Sequence, residues 1–235
     1  MKRDFYISVA MATYNGEKYI REQLDSILKQ LNENDEVIIS DDGSTDNTVD
    51  IINGYIKNDK RIKLLEGPKN GVKQNFANAI SHCIGKYIFL SDQDDVWNDE
   101  KVDTVLKAFE SNECTCVVHN ADIVDENLNK LGQTFFEFRK CGPGIIKNII
   151  KNTYIGCCMV FDRNIVDKIL PIPNDIEMHD QWIGILSEKY GSSIFINDDL
   201  IKYRRHAGNV SEMKHYPLGK MIKNRVNLIK NYQKR

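Results

Sequence analysis

The sequence predicts an α/β fold in one domain, with a mixed, mainly parallel β-sheet flanked by helices. Three observations lead there. Short apolar runs alternate with segments of helical periodicity through the first 91 residues, and strand–helix–strand alternation builds parallel pairs joined by right-handed crossovers. Polar stretches rich in Asp, Asn and Gly follow the first, second and fourth apolar runs. The 235 residues, 41% hydrophobic and 28% charged, suffice for one substantial core.

Each element has its own justification. Residues 6–11 form a buried strand. Lys2 and Arg3 ahead of it, with Ala10 and Ala12 spaced two apart, faintly imitate a secretory leader. The run is short, however, and leads straight into a loop that needs it as a strand. Residues 17–31 set Tyr19, Ile20, Leu24, Ile27, Leu28 and Leu31 at helical spacing. Strand 36–40 follows, then helix 48–56, with Ser44 or Thr45 as its upstream cap. Strand 62–65, helix 72–83 and strand 86–91 complete the regular half.

Beyond residue 100 the pattern loosens. Helices are expected at 101–110 and 181–190, and strands at 115–119, 159–161 and 193–196. Residues 141–144 read as a turn and 171–174 as a loop. Residues 1–213 form the domain, with a first half at about 1–98 and a second at about 99–213. From 214 to 235 there are Lys and Arg but no Asp or Glu. Leu218, Ile222, Val226 and Ile229 share one helical face there, flanked by Lys220, Lys223, Arg225 and Lys230. Such a helix can lie on an anionic membrane surface or pack on the domain with a solvated basic face.

Composition narrows the function. The formal net charge is −2, from 32 basic and 34 acidic residues, without the basic bias of a nucleic-acid binder. No run approaches the ~20 apolar residues of a membrane span. The six cysteines, Cys83, Cys114, Cys116, Cys141, Cys157 and Cys158, include no C-x-x-C pair and read as reduced thiols of a reducing, cytoplasmic compartment.

In an open α/β sheet, ligands bind beyond the carboxyl ends of the strands. The polar segments Ala12-Thr13-Tyr14-Asn15-Gly16, Asp41-Asp42-Gly43-Ser44-Thr45-Asp46 and Asp92-Gln93-Asp94-Asp95 all fall at such ends. Asp92, Asp94 and Asp95 crowd like charges into four residues, a repulsion that a hard divalent cation relieves. Mg²⁺ is commonly held by one or two carboxylates plus substrate phosphates, and Mn²⁺ suits the same ligands. An EF-hand fails because Trp97 stands where that loop needs glycine. No G-x-G-x-x-G follows the first strand, and no G-x-x-x-x-G-K-[ST] occurs.

These segments resemble family 2 glycosyltransferases of the GT-A fold, a Rossmann-like architecture. The resemblance rests on ISVAMATYNG (7–16), IISDDGSTDNT (38–48), LSDQDDVW (90–97), HDQW (179–182) and YRRHAGNVS (203–211) in this order. The last three together are similar to bacterial rhamnosyltransferase-like members that build surface polysaccharides. The resemblance implies that Tyr14 lies against the donor base with Thr13 beside it, that Asp41 hydrogen-bonds the base, and that Asp42 lies near the ribose. Asn15, Glu17 and Gln93 join the donor-site set. Asp94 is implied as metal ligand, with Asp92 on metal or ribose and His206 on metal or diphosphate. The segment offers two acidic registers, so ligation through Asp95 stays open. Asp180 is implied as the general base of an inverting displacement. Asn70 and Lys73 open a helix whose amino end suits a diphosphate or forms an ordinary turn.

The expected cofactor is therefore Mn²⁺ or Mg²⁺, the expected donor a dTDP- or UDP-linked sugar, and the acceptor a glycan or lipid-linked hydroxyl. The lean is to dTDP-rhamnose, with a UDP-hexose as alternative. Peripheral contact with the inner membrane face through the C-terminal helix fits a lipid-linked acceptor, and a homodimer stays open. A nucleotide-sugar-binding module without turnover would dispense with Asp180. A nucleotidyltransferase would want more basic residues at the first turn than Lys18.

Overall fold

The computed structural model describes residues 5–206, 209 and 217–235. Its first half repeats one unit: β1 (Ile7–Thr13), α1 (Ile20–Leu28), β2 (Glu36–Asp41), α2 (Thr48–Ile56), β3 (Ile62–Glu66), α3 (Val72–Ser81) and β4 (Tyr87–Ser91). The second half continues with β5 (Val96–Trp97), α4 (Lys101–Ser111), β6 (Cys116–Val124), β7 (Lys130–Thr134), α5 (Phe135–Arg139) and α6 (Ile145–Ile150). It closes with β8 (Met159–Asp162), α7 (Val166–Ile169), α8 (His179–Tyr190), β9 (Ser193–Arg204) and α9 (Leu218–Gln233).

The strands form one sheet in the order β3-β2-β1-β4-β8-β6-β9-β5, with β7 on β6. Parallel pairing runs through β3, β2, β1 and β4. Every residue of β1, β2 and β4 is buried, because helices cover both faces of a parallel sheet. Beyond β4 the sheet is mixed: β8 runs antiparallel to β4 and β6, and β6 pairs parallel with β9.

The structure corrects several expected boundaries. α1 starts at Ile20 rather than 17, because Tyr19 and Ile20 first turn back on the Gly16 carbonyl, each N–H donating at 3.0 Å. α8 starts at His179, and its N-cap Met178 offers no side-chain bond. Asp180 thus lies inside the first turn and does not cap the helix. The strand expected at 193–196 runs to Arg204, and that at 115–119 to Val124. Register shifts at 119/120 and between 120 and 122 keep this long pair together. The turn expected at 141–144 leads into a helix, α6, that has no periodic signature of its own.

Parts of the 203–211 and 214–235 segments lie outside the described residues. Within the described part, α9 packs on the domain: Leu228 is buried, and Asn231 Nδ2 donates to Asp175 Oδ1 at 2.8 Å. No helix among the described residues is long and apolar enough to cross a membrane. The six cysteines are unpaired thiols.

Candidate active site

The strand order sets the site. With β1 between β2 and β4, Thr13 is level with Asp41, and Met11 with Ser91. The three polar loops therefore leave the sheet side by side. Against them lies a cavity of about 410 Å³, within the size range of nucleotide-sized ligand sites.

Of the expected site residues, Thr13, Tyr14, Asp42, Asp92, Gln93, Asp94 and Asp180 line this cavity. Tyr14 presents its side chain 56% exposed. Its backbone is clamped by Gln93, whose Oε1 accepts from the Tyr14 N–H at 2.9 Å and whose Nε2 donates to the Tyr14 carbonyl at 3.0 Å. Gly16 makes room, since a Cβ there would sit 2.3 Å from Gln93 Oε1. Asp42 Oδ2 accepts from the Gly71 N–H at 2.8 Å, while its buried Oδ1 accepts from no described group.

Other expected residues brace these loops. The Asp41 carboxylate accepts from Thr13 Oγ1, Ser44 Oγ and the Gly43 and Ser44 N–H groups, at 2.6–3.1 Å. Asn15 Oδ1 accepts from the Thr45 N–H at 2.8 Å, and Glu17 Oε2 from Asn47 Nδ2 at 2.7 Å. Asn70 is exposed beside the cavity rim at Gly71. Lys73 Nζ donates to the Asn174 carbonyl at 2.8 Å, away from the cavity lining.

The acidic loop splits in two. Asp94 Oδ2 lies 2.7 Å from His206 Nε2 and accepts from Asn209 Nδ2 at 3.2 Å. Thus the two residues expected to share a metal meet directly. Asp92, Asp95 and Cys157 form the other half, their ligand atoms all within 4.8 Å of one another. Asp95 is buried; its Oδ1 accepts from the Arg204 N–H at 3.0 Å and its Oδ2 has no described partner. Burial, then the Asp94 charge, pushes Asp95 up to about 7. Burial, then Asp95, Asp94 and Asp180, raises Asp92. Two facing carboxylates with an orphan buried oxygen fit a hard divalent cation; the Cys157 thiol is a softer donor than such an ion prefers.

Sequence reasoning missed what frames this pair. Arg204 straps the loop, its Nε donating to the Asp94 carbonyl at 2.7 Å. Lys101, wholly buried, donates to the Cys157 carbonyl at 2.9 Å and sits 4.1 Å from the Trp97 ring centroid. A lysine four residues past an aromatic gives no local hint of such burial.

Asp180, in the lining of the same cavity, is held by two donors. Its Oδ1 accepts from the Gln181 N–H at 2.5 Å and from Asn152 Nδ2 at 3.1 Å. Burial pushes its carboxyl up to about 6, in the range suited to a general base near neutrality. His179, passed over in the sequence, lines the same cavity and stacks on Phe76 with centroids 4.2 Å apart. Both its ring nitrogens are buried without a described partner, and burial, then Lys73, pushes its pKa down to about 3.

A parallel-sheet edge that brings an acidic loop and the buried Asp180 carboxylate to one cavity is the architecture of the GT-A fold. The chain belongs to the Glycosyl transferase family 2, whose model matches residues 8–170. It is 28% identical over 214 residues to the UDP-Glc:alpha-D-GlcNAc-diphosphoundecaprenol beta-1,3-glucosyltransferase WfgD of Escherichia coli, covering 90% of this chain and 81% of that one. It is 30% identical over 215 residues to the dTDP-rhamnosyl transferase RfbG of Shigella flexneri, covering 85% and 72%. Among solved structures, S. aureus TarS 1-349 in complex with UDP-GlcNAc shares the fold, with a TM-score of 0.75 at 20% identity over 96% of this chain and 67% of that one. Against another relative, from Nostoc sp., the chain spans 66% of the length.

Proposed function

We propose that this chain moves a sugar from a nucleotide-sugar donor onto a hydroxyl of a glycan or lipid-linked acceptor, with inversion, in bacterial surface polysaccharide synthesis. One observation carries the reading: Asp180 and the acidic-loop residues Asp92 and Asp94 line one and the same cavity. The acceptor oxygen attacks the anomeric carbon, the bond from that carbon to the diphosphate oxygen breaks, and the hydroxyl proton passes to Asp180. A positioned carboxylate contributes ~10²–10⁴-fold to such a transfer. Its elevated affinity for protons favours acceptance, and Gln181 and Asn152 fix its Oδ1.

On the donor side, Tyr14 offers its exposed ring to the base, and Asp42 Oδ1 is the acceptor left for a ribose hydroxyl. Asp92 and Asp95 would hold Mn²⁺ or Mg²⁺, with Asp94 beside them and His206 acting through Asp94. Bound there, such an ion would supply Lewis-acid stabilisation of the departing diphosphate. We assign dTDP-rhamnose as donor, in line with the likeness to RfbG; the comparable likeness to WfgD makes a UDP-hexose the alternative. The reading places the chain at the cytoplasmic face of the membrane, where a lipid-linked acceptor would be met.

The test is thermal-shift screening with dTDP-, UDP-, GDP- and CMP-sugars and Mn²⁺ or Mg²⁺, followed by transfer assays on the wild type and Asp180→Asn. A ligand selective for the native state raises apparent stability by mass action. The expected result is a shift with dTDP-rhamnose that Asp180→Asn retains while transfer is lost. Equal transfer by both proteins removes Asp180 as the base, and no shift with any donor removes the transferase reading.

A further inference from the structure

Ten large apolar side chains stand exposed among the described residues, and six of them belong to α6 and α9, which touch. Ile146 is 75% and Leu218 72% exposed; Ile150, Ile222, Val226 and Ile229 complete the set. Scattered exposed apolar residues are ordinary, but a concentrated patch marks an interaction surface.

α9 does not pack through this stripe. It is anchored by Leu228 and by asparagines: Asn224 Nδ2 donates to Glu177 Oε2 at 2.7 Å, and Asn227 Nδ2 to the Asp175 carbonyl at 3.0 Å. Arg225 Nε reaches across to the Ile150 carbonyl at 3.0 Å, fastening α9 to α6. The two helices carry Lys147, Lys220, Lys223, Arg225 and Lys230, and no acidic residue.

We propose that α6 and α9 together form the face that docks this protein on an anionic lipid bilayer. The apolar stripe enters the headgroup boundary, and the flanking cations meet the phosphates. Charge selects this occupant over a second copy of the chain. A two-fold contact would set each basic row against its like, with no carboxylate on either helix to answer it. The inference rests on a lipid-linked acceptor and deepens that reading, because α6 also braces the base. Gln181 Nε2 donates to the Asn148 carbonyl of α6 at 2.6 Å, and Asn152, just past α6, donates to Asp180. A bilayer under α6 would thus present a lipid-borne hydroxyl on the Asp180 side of the cavity.

The experiment is co-sedimentation of the full chain with vesicles of phosphatidylglycerol and phosphatidylethanolamine, or of phosphatidylcholine alone. Affinity is expected to be at least about tenfold higher for the anionic vesicles and to fall in high salt. Ile146→Ser/Ile222→Ser and, separately, Lys223→Gln/Lys230→Gln should each weaken it about tenfold or more. Unfolding midpoints and donor turnover in vesicle-free solution serve as folding controls. Equal binding to both vesicle types, or variants that bind like wild type, would overturn the proposal. So would a dimer in sedimentation velocity that Ile222→Ser abolishes. Vesicle binding without sugar transfer in any assay would leave the dock standing and sink the transferase reading; transfer without vesicle binding would do the reverse.

Discussion

Replacing Asp180 by asparagine should make this protein more stable and nearly inactive. The Asp180 carboxyl sits at about 6 against an ordinary 3.8, with burial as the largest cause. A shift of about two units corresponds to about 3 kcal/mol by which the ionised form disfavours the native state. Asparagine keeps the Oδ1 acceptor for Gln181 and Asn152 but carries no charge. The sign follows from linkage. The native state binds this proton more tightly than the unfolded chain, so the contribution of Asp180 is most favourable below about pH 4 and is lost as pH rises through about 6. The variant and wild type should therefore unfold at similar temperatures near pH 4. Above pH 6.5 the variant should gain up to about 3 kcal/mol, or roughly 6–12 °C for a chain of this length. Calorimetry from pH 4 to 8 measures the gap, and wild-type transfer should show an acidic limb near pH 6. A variant no more stable than wild type at pH 8 would refute the argument that burial tunes this carboxylate.

The acidic pair and the Tyr14 clamp give two further tests. Lys101→Met removes the buried cation behind Asp92 and Asp95 and leaves the Cys157 carbonyl without its donor. Stability in chelator should drop by about 3 kcal/mol, with part restored by Mn²⁺; an unfolding midpoint equally low with and without the ion would count against a cation between those carboxylates. Gly16→Ala puts a Cβ 2.3 Å from Gln93 Oε1, the end of a flexible side chain. Stability should change by less than about 1 kcal/mol, while loss of the clamp raises the donor KM roughly fivefold to tenfold. Unchanged donor kinetics would show that Tyr14 needs no such clamp.

What the residues alone settled is the local part. Apolar alternation and helical spacing within windows of some ten residues placed the first four strands and three helices, since each must bury its own face wherever it packs. The polar loops were legible because turn chemistry and like-charge crowding are also local. Tertiary structure decided everything that depends on residues far apart in the chain. Asp94 meets His206 across 112 positions and Arg204 across 110. Cys157 joins Asp92 and Asp95 only because β8 is inserted between β4 and β6. The short helices α5 to α7 have too few turns to leave a period in the sequence. Likewise the stripe on α9 is readable from spacing, but only packing shows that a different face holds the helix to the domain. The protonation states of Asp95, Asp180 and His179 come from the exclusion of water, and no stretch of sequence carries the information about which groups the folded chain will shield.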